Sequence, residues 1–171
     1  MPVKNPKELF VRMLSDLRQG TEKTTKVFQE LGEVAQDPDV KEALEARVFV
    51  SHKILDTLDQ CFNLIGEQPQ KLGGRLHDVF TEDFHRELDE LQNPTVRHLF
   101  ILAKASHLIH FHISEYKALI AAADLSGHYG VGVLLESCLA DKLAFAERTR
   151  RLIQNIAATR VSEKIAARSV A

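Results

Sequence analysis

Eight histidines are the residues of this chain best suited to chemistry, because imidazole both binds metals and exchanges protons near neutral pH. Five of them fall between His85 and His112. At ~100° per helical residue, His107 and His110 share one face while His112 lies nearly opposite His110, so one ion cannot easily take all three. Other chemistries find less support. Cys61 and Cys138 stand in separate apolar segments, which suits buried free thiols better than a metal knuckle or a disulfide framework. No hydroxyl or thiol has the local context of an activated nucleophile, such as a G-x-S-x-G elbow. Gly127, Gly130 and Gly132 are in the wrong order for a phosphate loop, and the Gly73-Gly74 pair lacks a following Lys-Ser or Lys-Thr.

The elements that must position these residues are helical. Leu9, Phe10, Met13, Leu14, Leu17, Val27, Phe28 and Leu31 recur at three-and-four spacing after an Asn5-Pro6 start, which predicts a first helix to near Ala35. Asp37-Pro38 opens a second, carrying Val40, Ala43, Leu44, Val48, Ile54, Leu55, Leu58 and Phe62 to Gly66. Glu67–Gly74 breaks the pattern, and a short amphipathic helix follows from about Arg75 to Leu91. Asn93-Pro94 starts a long helix to about Leu125, and a last one runs from about Val131 to Ala158. Two hairpins joined by a long connection make an all-α, ferritin-like four-helix bundle with a short crossover helix between helices two and three. The bundle is assigned to residues 5–158, and 159–171 to a helical or disordered tail with Arg160, Lys164 and Arg168 on one basic face.

Composition limits the partners. With 171 residues, 44% hydrophobic and 27% charged, the chain suits a single folded domain. A net charge of -2 and a pI near 6.4 exclude the broad positive field of a nucleic-acid binder. Met1–Glu8 lacks the apolar core of a secretory signal, from which a cytoplasmic location is expected. Between Leu99 and Ala123 only Lys104, Glu115 and Lys117 carry formal charge, too apolar for one core-facing stripe. Those charges and the histidines interrupt any membrane span, so the helix of residues 94–125 is expected to meet a second copy in a homodimer.

The segment LFVRMLSD (9–16), His52 36 residues later, LDTLDQCF (55–62), HLIHFHISEY (107–116) and LLESCLADK (134–142) resemble the YciF/YciE family of ferritin-like bacterial stress proteins. The resemblance runs from Asn5 to about Ala158. It implies a four-helix bundle, commonly dimeric, with a dinuclear metal site in some members. Such a site takes about four carboxylates and two histidines, including Glu-x-x-His pairs.

Matched residue by residue, that resemblance places Thr21, Phe49, Ile109 and Phe145 where the family has ligands. Thr21 is expected inward on the Leu17, Thr21, Thr24, Phe28 stripe, with Glu22 the match after a one-residue shift. Phe49-Val50-Ser51-His52 keeps the imidazole of Glu-x-x-His but not its carboxylate. Apolar side chains there turn a charged cavity into packed core. The expectation is therefore a stress-related, non-catalytic protein with a degenerate di-metal site and no cofactor. The alternative is an iron- or zinc-binding protein, capable of iron oxidation or storage, whose rebuilt site uses His52, His112, Asp141 and Glu22.

Overall fold

The computed structural model describes the backbone of residues 3–73 and 75–169, and the side chains of these up to residue 159. Five helices form: α1 (Pro6–Val34), α2 (Pro38–Ile65), α3 (Leu76–Asp89), α4 (Pro94–Leu125) and α5 (Tyr129–Ser169). Three of the starts follow one recipe, a side-chain cap and then proline, whose missing N–H costs nothing in the first turn. Asn5 Oδ1 accepts from Glu8 N at 2.9 Å, Asp37 Oδ1 from Asp39 N and Val40 N at 3.0 Å, and Asn93 Oδ1 from Val96 N at 3.2 Å. Gly66 ends α2 with φ +68°, a left-handed conformation that glycine adopts without strain. The last helix continues past the expected end at Ala158. The side chains of Arg160, Lys164 and Arg168, and all of Gly74, lie outside the described residues.

Helices α1 and α2 form one hairpin and α4 and α5 another, with α1 beside α4 and α2 beside α5. The crossover helix α3 rests on α1 and α4. Its approach is fastened by the Gln19 side chain, which donates to Leu72 O at 2.9 Å and accepts from Leu72 N at 3.0 Å. At its far end Arg97 donates to Leu88 O and Leu91 O, satisfying carbonyls that the helix leaves open. Gly20 permits the close approach: a Cβ there would lie 2.9 Å from His77 Cε1.

The core divides into two apolar halves. One gathers Val27, Phe28, Leu31, Leu44, Phe84, Ile101, Ile109 and Phe145, and the other Phe10, Leu14, Leu17, Ile54, Leu58, Phe62, Tyr116 and Leu135. Between them every bundle helix turns a polar residue inward: Thr21 and Thr24, Arg47 and Ser51, His112, and Lys142. Outward on α4 stand His107, His110, Ser114, Lys117, Ala118 and Ala121, with Val96, Leu99, Phe111 and Leu125 the exposed large apolar side chains.

Phe49 corrects an expectation. It is 67% exposed on the outer side of α2, so it fills no core, whereas Phe145 is 8% exposed and sits among core residues as expected. Phe145→Ala is therefore expected to cost about 3–5 kcal/mol, and Phe49→Ala less than about 0.5 kcal/mol. Urea unfolding followed by circular dichroism measures both, and equal losses would contradict this assignment of faces.

Candidate functional site

The belt between the two apolar halves collects the polar groups that chemistry could use. His112, fully buried on α4, is its hub. Its Nδ1 lies 3.2 Å from Lys142 Nζ on α5. Its Nε2 lies 3.3 Å from Thr24 Oγ1 on α1 and 3.3 Å from His77 Nε2 on α3. Glu115, one turn along α4, brings Oε2 to 3.9 Å from the same Nε2. An amine donating to Nδ1 of a neutral ring leaves the ring proton on Nε2, where both the threonine and the second imidazole can accept it. A small cleft of about 80 Å³, lined by Asp16, Gly20, His77, Phe111 and Glu115 among others, reaches this corner from the surface.

Deeper in the belt lies Arg47, 2% exposed, its guanidinium carbon 5.9 Å from the centre of the Phe28 ring and 5.6 Å from that of Phe145. Among the described residues Nε, Nη1 and Nη2 have no hydrogen-bond partner. Tyr116 is also fully buried, and among the described residues its hydroxyl finds no partner at contact geometry, only an interaction in which it donates toward the weakly accepting sulfur of Cys138. The Lys142 ammonium lies 5.7 Å from the centre of the Tyr116 ring.

Burial governs the protonation of the belt, since removal from water disfavours charge. It pushes Arg47 down to about 10, leaving it charged at neutral pH. Lys142 and His112 are held well below their ordinary values, first by burial and then by the neighbouring positive charges, Arg47 acting on both. His77 is lowered by burial, with Lys23 adding to the effect. Burial raises Glu115 to about 7, with Asp16 assisting and Lys142 opposing. Cys61 is pushed up to about 12 and Cys138 is also raised, both chiefly by burial. Both are free and buried, the state of inert structural thiols.

Of the four metal ligands expected from sequence, only His112 faces this belt. Glu22 is exposed and lies 3.7 Å from Arg18, and His52 and Asp141 point to solvent from α2 and α5. The four are not brought together. Thr21, at 1% exposure, takes the inward place beside Glu22, as its stripe predicts. On α2 the inward positions are Arg47 and Ser51 rather than Phe49 and His52, and on α5 Lys142 rather than Asp141. Among the described residues no group of three or more His, Cys, Asp or Glu side chains is placed to hold a metal ion. A dinuclear centre does not fit this belt: its carboxylates would have to offset two divalent charges, and the buried ionisable groups here include Arg47 and Lys142.

Sequence reasoning missed Arg47, His77 and Lys142. Two of them were within reach of the spacing: Leu44, Arg47, Ser51, Ile54, Leu58 and Leu135, Cys138, Lys142, Phe145, Thr149 keep unbroken three-and-four steps through the charged residue.

Comparison with known proteins follows the same outline. The description "Domain of unknown function (DUF892)" matches residues 5–162. Protein YciF of Escherichia coli K12 is 24% identical over 148 residues, covering 84% of this chain and 87% of its own length. The solved structure of the E. coli stress protein YciF superposes with a TM-score of 0.85 at 20% identity, over 91% of this chain and 98% of its own. That of YcfI from Rhodopseudomonas palustris gives 0.83 at 24% identity, over 86% and 94%. These structures share the all-helical fold.

The protonation pattern sets a pH dependence with two opposing arms. His112 and His77 bind protons more weakly folded than unfolded, so their contribution to stability is lost as pH falls below about 6.5. Glu115, raised from 4.5 to about 7, acts in reverse: its contribution is present below 4.5 and lost as pH rises through about 7. Glu115→Gln is therefore expected to gain more stability than the unmodified chain between pH 5 and pH 8. Urea midpoints at the two pH values test this, and parallel profiles would show that Glu115 titrates normally.

Proposed function

The chain belongs to the DUF892 family, and from that membership we propose that it is a cytoplasmic, stress-related, non-catalytic protein of the YciF type in which the dinuclear metal site is degenerate. One observation carries the non-catalytic part: Arg47 and Lys142 are buried in the middle of the bundle, where a pair of cations would need carboxylates. The charged guanidinium there repels incoming metal, and Ile109 and Phe145 fill ligand positions with packed hydrocarbon. The stress role is supported by the relative described as a stress protein. Among the described residues no helix is long and apolar enough to cross a membrane.

A second reading has its own observation. The Nε2 atoms of His77 and His112 stand 3.3 Å apart, close to the separation of roughly 3.3–3.4 Å for two nitrogens on one tetrahedral zinc with bonds of ~2.0–2.1 Å. With Glu115 swung in from 3.9 Å, the belt's outer corner would take a single ion in place of the sequence-expected ligand set. Dialysis against ferrous iron without oxygen, and separately against zinc, followed by metal analysis per chain, distinguishes the readings. The first expects background metal in both. One zinc per chain that disappears in His77→Ala establishes the second, and two iron ions per chain refute the first.

The partner in this reading is a second copy, docked through the outward face of α4. Light scattering is expected to give twice the 19.3 kDa of one chain, and Ala118→Glu on that face is expected to shift the protein to the single-chain mass. A single-chain mass for the unmodified protein at micromolar concentration excludes the dimer.

A further inference from the structure

Arg47 presents a problem that the metal question does not address. Its side chain is 2% exposed, and among the described residues none of its three guanidinium nitrogens meets a partner. A guanidinium carries five N–H donors and keeps its charge, so burying one unpaired is among the most unfavourable arrangements open to a folded chain. The two rings nearest to it, Phe28 and Phe145, stand near the ~6 Å limit of cation–π attraction and accept no hydrogen bond in its plane. Lys142 adds a buried amine, held among the described residues by His112 and the Tyr116 ring. Among the described residues no carboxylate lies within ion-pair distance of either. Tyr116 contributes a fully buried hydroxyl without an oxygen or nitrogen partner.

Unfilled donors on α2 and α4 beside an amine on α5 are the inverse of a metal centre: a fixed guanidinium charge among hydrogen-bond donors, which calls for a negative ligand. Water would satisfy the donors and leave the charge uncompensated, whereas an anion does both. The apolar halves close the belt on two sides, so the occupant must be small, and because the nearby carboxylates of Asp141 and Glu115 act only through space, without ion-pair contact, it comes from solution. We propose that this belt is an internal anion site in which a halide-sized inorganic anion is held by the Arg47 guanidinium and the Tyr116 hydroxyl, with the Lys142 amine beside it. The site then holds the bundle's middle together with an ion of sign opposite to that of a metal centre, and it does not depend on the stress role or on the absence of zinc at His77.

The test uses bromide as the probe. The full chain, purified in sodium gluconate, is melted in increasing sodium bromide at constant ionic strength. A saturable rise in Tm is expected, of roughly 5–10 °C at a hundredfold excess over the dissociation constant. Crystals grown in bromide are expected to show an anomalous peak beside Arg47 and Tyr116. Arg47→Met, which replaces the charge with a side chain of similar size, should fold and lose the bromide dependence. Tyr116→Phe, which removes one oxygen from an otherwise unchanged core, should weaken it several-fold. Identical melting in bromide and gluconate, a bromide found only on the surface, or a bromide response that survives in Arg47→Met overturns the proposal. A zinc ion at His77 and His112 would leave it standing.

Discussion

Holding Arg47 and Lys142 away from water at the centre of a helical bundle is the constraint around which the rest of this molecule is arranged. Each such group carries an effective penalty of several kcal/mol unless it is compensated. The compensation is not local, because neither side chain forms an ion pair and Arg47 lacks any hydrogen-bond partner among the described residues. It comes from the two apolar halves on either side, where side chains such as Phe10, Leu14, Leu31 and Phe84 are wholly buried, each contributing about 1.5–3 kcal/mol. Long helices make this possible: α1, α2, α4 and α5 all run through both halves, so the polar belt is held by elements anchored at either end.

The same constraint separates this chain from a metal-holding bundle. A carboxylate-lined centre is unstable when empty, because like charges crowd in a medium that screens them poorly, and metal relieves the strain. Here the sign is reversed. A divalent ion about 4 Å from one buried positive charge would be repelled by roughly 8 kcal/mol at an effective dielectric of 20, comparable to the binding free energy of a tight ligand. His112 and Lys142 respond to their surroundings by giving up protons readily, so the belt lowers its own charge as far as Arg47 permits.

Much of the architecture was legible in the sequence because its signals are local. Asn5-Pro6, Asp37-Pro38 and Asn93-Pro94 are caps whose hydrogen bonds involve residues two or three positions away, and the structure forms all three. The belt was only partly legible. Thr21, Ile109 and His112 lie on stripes whose other members are uncharged, so their inward placement follows from spacing. Arg47 and Lys142 lie on equally regular stripes but carry charges, and the match to the family's ligand positions pointed instead to the aromatic Phe49 and the acidic Asp141. Periodicity was the better guide there. His77 could not be placed by periodicity at all, since its position depends on how a crossover helix docks, a tertiary matter settled by Gly20 and the Gln19 clasp.

That docking also decides how anything in solution reaches the belt. The bundle interior is sealed by Phe10 and Phe62 in one half and by Phe28 and Phe84 in the other, all at or near zero exposure. The described cleft that touches the belt opens between α1, α3 and α4, past Gly20 and His77 toward Glu115. His77 stands at its inner end and touches His112, which touches Lys142, so the order along the path is two imidazoles and then the amine. A side chain at position 20 would meet the His77 ring at 2.9 Å and require it to shift. The short helix, an accessory in the bundle's topology, thus supplies a wall of the cleft that reaches the belt, and Gly20 leaves the room its imidazole occupies.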